Sequence, residues 1–297
     1  MIIERQEDLT EAVLGVMART ADPRLREIMG ALVRHLHAFV REVRLSEDEF
    51  RAATGILAEI GQLTTDSHNE TVLMAGSLGV SSLVCLLNNG DRGATETSQS
   101  LLGPFWRMHS PRVPNGGSIV RSDTPGPALF VGFRVEDRAG RPIAGAEVDI
   151  WHSSPVGLYE NQDPEQAEMN LRGKFTTDGA GRIRFRSVKP AGYPIPTDGV
   201  VGRLLRAQDH HPYRPAHIHA LVFKEGYKTL TSRVYADDDP NLDSDVQFGV
   251  TRALIGRFLR HDAPHPSAPE VEAPWYSLDY TFEMEPGQAR LPRPPIK

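Results

Sequence analysis

Two histidines, His217 and His219, stand two positions apart in Arg214-Pro215-Ala216-His217-Ile218-His219, inside a run of strand-forming residues. Side chains at i and i+2 of a strand leave the same face of a sheet, so both imidazoles can converge while Ile218 enters the opposite layer. Two neutral imidazoles converging in this way make half of a metal site. Upstream, Asp149-Ile150-Trp151-His152 leads to Tyr159, and Pro190-Ala191-Gly192-Tyr193-Pro194-Ile195-Pro196 carries a second tyrosine. A phenolate is a hard anionic donor, and two phenolates with two imidazoles suit a hard trivalent metal better than zinc. A tyrosine hydroxyl titrates near ~10, so it ionises at neutral pH only beside a strong cation. Spacing alone leaves another reading open: a polar strand face with unrelated histidines, and two of seven tyrosines in ordinary half-buried positions.

The composition narrows the setting. With 297 residues, 39% apolar and 24% charged, the chain can build a real core and has no disorder signature. A net charge of −6 argues against a nucleic-acid partner, which needs a basic face. The start, Met1-Ile2-Ile3-Glu4-Arg5-Gln6-Glu7-Asp8, lacks the basic and apolar regions of a signal peptide, and no apolar run has the length of a membrane span. The lone Cys85 excludes an internal disulfide and thiolate-rich metal sites, so a metal must take nitrogen and oxygen ligands. A cytoplasmic, soluble protein is expected.

The elements that must position these residues differ between the two parts of the chain. The first hundred residues read as helices. Asp22-Pro23 is a start signal, and Leu25, Ile28, Met29, Leu32, Val33, Leu36, Phe39, Val40 and Val43 then form an amphipathic stripe. Ser46 with Glu49 makes a capping box, and one further helix is expected from about Glu70 to Leu87, ended by Asn88-Asn89-Gly90-Asp91. His35 and His37, two apart on a helix, point to different faces and read as surface residues. Beyond Leu101, apolar residues alternate in short runs at 128–136, 145–151, 217–223, 229–235 and 276–284, with Glu225-Gly226 as a hairpin turn. The pattern predicts a β-sandwich or barrel after the helices; the domains expected are an α-helical one over residues 1–105 and an antiparallel β-sandwich over residues 106–297. Insertions at 161–171 and 194–212 exceed a tight turn and are where function is expected.

In these pieces the chain resembles the intradiol ring-cleaving dioxygenases, the catechol and hydroxyquinol 1,2-dioxygenase group. The matching stretches are Leu102-Gly103-Pro104-Phe105, Asp149-Ile150-Trp151-His152 through Gly157-Leu158-Tyr159, and Leu171-Arg172-Gly173-Lys174-Phe175-Thr176-Thr177-Asp178. They continue with Gly192-Tyr193-Pro194-Ile195-Pro196-Thr197-Asp198-Gly199, the His217-Ile218-His219 run and Asp243-Ser244-Asp245. The resemblance implies a non-haem Fe(III) held by Tyr159, Tyr193, His217 and His219, with Tyr193 and His219 axial and a hydroxide or water completing the set. A catecholic diol would then be opened by O2 between its two hydroxyl-bearing carbons, giving a muconate-type dicarboxylate, with Tyr193 also accepting a substrate proton. Arg214, on residues alone a surface salt-bridge candidate, would by resemblance face the ring and stabilise developing negative charge. Leu101, Leu102, Gly103, Pro104, Phe105, Ile195, Pro196 and Val250 would line the pocket. His152 is expected to be structural, and the adjacent His210 and His211 to lie on a loop. The resemblance also implies a homodimer through the N-terminal helices, with a bound phospholipid; the stripe on the second helix fits that or a plain internal core.

Gly103-Pro104-Phe105, Leu242-Asp243-Ser244-Asp245 and Pro274-Trp275-Tyr276 look more like the hydroxyquinol branch than the catechol branch. Two residues depart from it. Cys85 stands where an aspartate facing the third hydroxyl is expected, which loosens selection for that hydroxyl. Arg233 stands where an uncharged or imidazole side chain is usual; a second cation would favour an acidic substrate or pair with a carboxylate. Catechol, chlorocatechol and other substituted diols remain alternatives. From other classes, a non-catalytic metal-binding β-sandwich and a zinc hydrolase using His217 and His219 are alternatives, and neither explains the two tyrosine motifs.

Overall fold

Asp22 closes the N-terminus of helix α2 (Pro23–Val43) as its sequence signal predicts, its carboxylate accepting the backbone N–H groups of Arg24 and Leu25 at 2.8 and 3.0 Å. The structure is a computed structural model, and it describes residues 2–65, 68–89 and 99–293. The chain divides into two units, Met1–Glu59 and Ile60–Lys297. In the first, α1 (Asp8–Met17) packs against α2 (Pro23–Val43), with Thr10 bonded to His37 at 3.0 Å and to Arg41 at 2.6 Å. The face of α2 that carries Leu25, Leu32, Leu36 and Phe39 stays 46–52% exposed. Val33, of the same stripe, is buried. Helix α3 (Glu47–Leu63) starts on the predicted box: Ser46 N–H and Oγ both donate to Glu49, at 2.9 and 2.8 Å.

The expected helix from Glu70 to Leu87 is two helices, α4 (Glu70–Ser77) and α5 (Val80–Asn89), bent by 76°. The break falls at Gly79, whose φ of +70° leaves the right-handed helical region at little steric cost. Gly90 and Asp91 lie outside the described residues. No single described helix is long and apolar enough to cross a membrane.

The sandwich follows the alternation in the sequence. Its strands are β1 (Ala128–Asp137), β2 (Glu147–His152), β3 (Arg172–Thr176), β4 (Arg182–Val188), β5 (Tyr193–Pro194), β6 (Tyr213–Arg214), β7 (His217–Phe223), β8 (Leu230–Ala236), β9 (Ile255–Gly256), β10 (Leu259–His261) and β11 (Trp275–Met284). One sheet runs β10-β11-β1-β4, the other β3-β2-β7-β8-β9, and β5 pairs with β6 alone. Leu129, Val131, Phe133 and Val135 face Val148, Ile150, Ile218, Ala220 and Val222 across the core. Each of these larger side chains, Ala220 excepted, contributes about 1.5–3 kcal/mol on burial.

The sheets are mixed and not purely antiparallel, which corrects the sequence expectation: β1 pairs with β11, and β8 with β9, in parallel. Hairpins enforce antiparallel neighbours only between strands close in sequence. β11 returns to β1 from the far end of the chain, and nothing local constrains its direction.

The outer face of the β3-β2-β7-β8 layer is buried too. Trp106 covers it, in a cluster with Trp151 and Leu221, and the segment it belongs to bonds along the sheet's edges, with Ser100 N–H bonded to Thr231 O at 2.8 Å and Lys174 N–H to Pro111 O at 2.9 Å. The insertion at 194–212 contains a helix, α6 (Val200–Ala207), whose N-cap Gly199 has no capping side chain. The buried carboxylate of Glu70 replaces one, accepting Val201 N–H at 2.8 Å while pairing with His68 at 2.7 Å. Ile195, Val201, Leu205 and Val246 pack there with Leu73 and Met74.

Candidate metal centre

The hairpin centred on Glu225-Gly226 sets the site. Its register puts Tyr235 opposite His217 and Arg233 opposite His219, while on the other side Trp151 of β2 lies opposite His219. All five side chains share the outer face of the sheet, with Ile218 in the core. The loop after β2 delivers Tyr159, and β5 delivers Tyr193 directly across from Arg214 of β6.

These elements bring four donor atoms together. The Tyr159 and Tyr193 hydroxyls are 3.4 Å apart, Tyr193 OH is 3.5 Å from His217 Nε2, and the two Nε2 atoms of His217 and His219 are 3.1 Å apart. The hydroxyl distances exceed the ~2.7–2.8 Å of a good O–H···O bond. They match the separations expected of donor atoms ~2.1 Å from one common centre. All four side chains are at most 8% exposed. Among the described residues no group of three His, Cys, Asp or Glu side chains is placed to bind a metal, so a metal here depends on the two phenol oxygens.

The electrostatics fit such a group. Burial pushes the Tyr159 hydroxyl well above its ordinary range, assisted by Tyr193, so a phenolate at this position needs a strong cation beside it. Burial, with the charges of Arg214 and Arg233, holds His217 well below the usual imidazole range; burial, Arg233 and His217 do the same to His219. Both rings are therefore neutral donors. His217 Nδ1 lies 2.7 Å from Pro215 O, an acceptor only, so Nδ1 carries the hydrogen and Nε2 presents a lone pair to the site. Trp151 stacks on His219 with ring centroids 4.7 Å apart and planes 5° apart, fixing that ring as well.

A wall stands over the donors. Phe105 stacks on Tyr159 at 4.3 Å. Gly103 has φ +75° and lies so close to His219 that an added Cβ would sit 3.2 Å from its Cε1, so a side chain there is strained and crowded. Two buried arginines hold the segment by its backbone: Arg233 donates to Leu101 O at 2.5 Å and Arg172 to Phe105 O at 2.6 Å. Arg172 is balanced by Glu160 at 2.7 Å.

Arg214 is buried, not a surface residue. It forms a two-point pair with Asp245, Nε to Oδ1 and Nη2 to Oδ2 both at 3.0 Å, and Nη2 also donates to Tyr235 OH at 3.0 Å. Burial works to raise the Asp245 pKa, but the Arg214 charge and hydrogen bonds, with the N–H groups of Gly249 and Gln247, hold it far below the ordinary carboxylate range. The carboxylate partner that sequence allowed for Arg233 is not found among the described residues; it donates to Leu101 O and Tyr235 OH. Of the other expected pocket residues, Leu102 is half-buried beside Tyr159, Pro104 and Pro196 are exposed, Val250 is half-buried, and Cys85 is half-buried on α5. Tyr235 and the role of Asp245 were not read from sequence, although strand runs at 217–223 and 229–235 place Tyr235 opposite His217.

His152 bonds to Ser153 O and Ser187 Oγ, both at 2.7 Å, and is structural as expected; His211 bonds to Ser244 from a loop. Burial pushes the His152 pKa down to about 4. An unfolded chain takes up this proton as pH falls below about 6.5, the folded chain only near 4, so stability is full above the imidazole range and declines as pH falls between them. His217 and His219 act in the same direction. His152 alone costs about 2 kcal/mol by pH 5. The urea midpoint is expected to fall between pH 7 and pH 5, and a flat profile contradicts this assignment.

Residues 103–285 match the family described as Dioxygenase, and residues 22–95 the family described as Catechol dioxygenase N terminus. The chain belongs to the intradiol ring-cleavage dioxygenases. It is 40% identical over 283 residues to a hydroxyquinol 1,2-dioxygenase of Rhizobium sp. (strain MTP-10005), covering 94% of this chain and 95% of that relative. A catechol 1,2-dioxygenase of Candida albicans is 36% identical, with 93% of this chain and 91% of the relative covered. The crystal structure of a hydroxyquinol 1,2-dioxygenase from Pseudomonas putida DLL-E4 superposes with a TM-score of 0.87 at 35% identity, covering 95% of this chain and 99% of that one. In an intradiol dioxygenase, the helices followed by a sandwich are the expected architecture, and the non-catalytic and hydrolase alternatives fall away.

Proposed function

We propose that this enzyme opens hydroxyquinol, 1,2,4-trihydroxybenzene, between its adjacent hydroxyl-bearing carbons to give 3-hydroxy-cis,cis-muconate, the enol of maleylacetate. The convergence of two phenol oxygens and two imidazole nitrogens on one buried point carries this reading. Tyr159, Tyr193, His217 and His219 are the residues that hold Fe(III). When bound, the ferric ion supplies Lewis-acid chelation of the diol and activates its ring toward O2 without an external reductant. Tyr193, 8% exposed against 1–2% for the other three donors, is the phenol placed to accept a proton from an entering diol. Arg214, locked by Asp245 and Tyr235, keeps a positive charge at a fixed place to stabilise negative charge developing on the ring. Phe105 over Tyr159 helps keep water from the donors.

Hydroxyquinol is supported by the names of the relatives at 40% and 35% identity. The relative that acts on catechol, at 36%, and Cys85 on α5 favour a second reading, in which the substrate is catechol or another substituted diol. We take residues 106–297 as the catalytic part and residues 1–105 as the part that pairs two subunits. The exposed apolar face of α2 supports that pairing and is where a phospholipid would lie. A single cysteine suits a reducing compartment, and we place the enzyme in the cytoplasm.

The test is the visible spectrum of the purified protein before and after adding hydroxyquinol without oxygen. Phenolate-to-iron charge transfer is expected to colour the resting enzyme red-brown, and a bound diol to move the band to longer wavelength. A coloured protein indifferent to hydroxyquinol overturns the substrate; a colourless one overturns the metal assignment.

A further inference from the structure

Among the described residues, the basic side chains around the site are matched by carboxylates with one exception; Lys174 pairs with Glu147 at 3.0 Å and, more loosely, with the buried Asp149 at 3.8 Å. Arg214 is matched by Asp245, and Arg172 by Glu160, which also accepts from Arg107. Arg233 is 1% exposed and has no such match among the described residues. Its two partners, Leu101 O at 2.5 Å and Tyr235 OH at 3.2 Å, are uncharged groups, and its Nε is buried with no hydrogen-bond partner. Burying a cation without a counter-charge is strongly unfavourable, so a buried one kept here needs an anion from elsewhere.

The metal does not supply it. On the ring-cleavage reading, on which this inference rests, a ferric ion with two phenolates and a hydroxide is neutral. With one phenolate and a diol dianion it is neutral again. The surplus charge of Arg233 remains in both states when the diol has no further anion.

The charge is held in place and close to the reacting ring's surroundings. Arg233 stands opposite His219 in the β7–β8 register, over the Tyr235 ring at 5.9 Å, and its bond to Leu101 anchors the wall that Gly103 and Phe105 continue. We propose that Arg233 is a specificity-determining residue, its unmatched charge favouring diols that carry a further anionic oxygen on the ring. That oxygen is an ionised third hydroxyl or a carboxylate. The effect acts through space in a buried, weakly screened environment, and needs no direct bond. The same charge is felt at the donors, where it helps to hold His219 and His217 in their neutral forms.

The experiment measures dissociation constants for catechol, hydroxyquinol and 3,4-dihydroxybenzoate, by anaerobic titration of the iron-loaded wild type, Arg233→Gln and Arg233→Lys. Arg233→Gln is expected to weaken one or both anion-bearing diols by roughly ten- to thirtyfold relative to catechol. Loss confined to hydroxyquinol assigns the anion to its third hydroxyl, and loss for the benzoate assigns it to a carboxylate. Arg233→Lys, which keeps the charge but not the planar fork, is expected to keep the discrimination. An equal change for all three diols, or a loss in Arg233→Lys as large as in Arg233→Gln, overturns the proposal and leaves ring cleavage standing. If Arg233→Gln does not fold, the wild-type ratios and Arg233→Lys decide: no preference of the wild type for either anion-bearing diol overturns it. A wild type that responds to no diol overturns the ring-cleavage reading and this inference together.

Discussion

Tyr159→Phe is expected to yield a folded protein that has lost its bound iron, its colour and its activity. The substitution removes one oxygen and little else. The ring is 1% exposed and stacked on Phe105, and both features survive in phenylalanine. What disappears is one of four donors, and the oxygen that lies 3.4 Å from its Tyr193 counterpart. Burial makes that hydroxyl hard to ionise unless a cation sits beside it, so removing it carries no penalty in a metal-free fold. Loss of a group that merely orients a ligand costs about 10–100-fold in metal affinity, and loss of a ligand at least as much. His217→Ala is expected to go further, because its Nε2 lies between Tyr193 OH and His219 Nε2, at 3.5 and 3.1 Å. It also empties a buried ring position, so its stability falls along with its metal content. Metal analysis and the visible spectrum check both. A Tyr159→Phe protein with full iron and unchanged colour removes Tyr159 from the ligand set.

How much of this was legible in the sequence depended on whether the signal was local. The His217-Ile218-His219 spacing fixes a shared face because strand geometry is local, and the structure places both rings there. The caps at Asp22 and at Ser46 with Glu49 were readable for the same reason. Tyr159 and Tyr193 arrive on a loop and a two-residue strand, and no periodicity could place their oxygens 3.4 Å apart; only the family's motif did so. Gly79 looked like one small residue inside a helical run, but its left-handed backbone splits that run in two. The parallel pairing of β1 with β11 joins strands far apart in the chain, beyond any local pattern. Asp245 looked like one acid in Asp243-Ser244-Asp245. Its importance comes from a guanidinium thirty-one positions earlier in the chain. Buried charge pairs of this kind are long-range facts, and a sequence reveals them only once the fold has brought them together.

That pair determines the second large effect. Arg214→Ala is expected to leave iron and colour in place and to lower kcat by about 100- to 1000-fold, the scale seen when a preorganised group aimed at developing charge is removed. The Arg214 guanidinium makes no hydrogen bond to the four donor atoms; it is held by Asp245 and Tyr235. The single substitution has a side effect, since Asp245 is left 4% exposed without its cation, and breaking a buried pair from one side destabilises by about 3–5 kcal/mol. Pairing Arg214→Gln with Asp245→Asn removes both charges together and separates catalysis from folding. In that double variant stability is expected to recover toward wild type while kcat stays low. A residue acting on charge that develops only during ring opening lowers kcat and kcat/KM together, whereas a residue that simply binds the diol raises KM at constant kcat. Recovery of normal turnover in the double variant would mean that Arg214 acts only by neutralising Asp245, and the stabilisation of the ring's negative charge would have to come from the guanidinium of Arg233, which is also bonded to Tyr235.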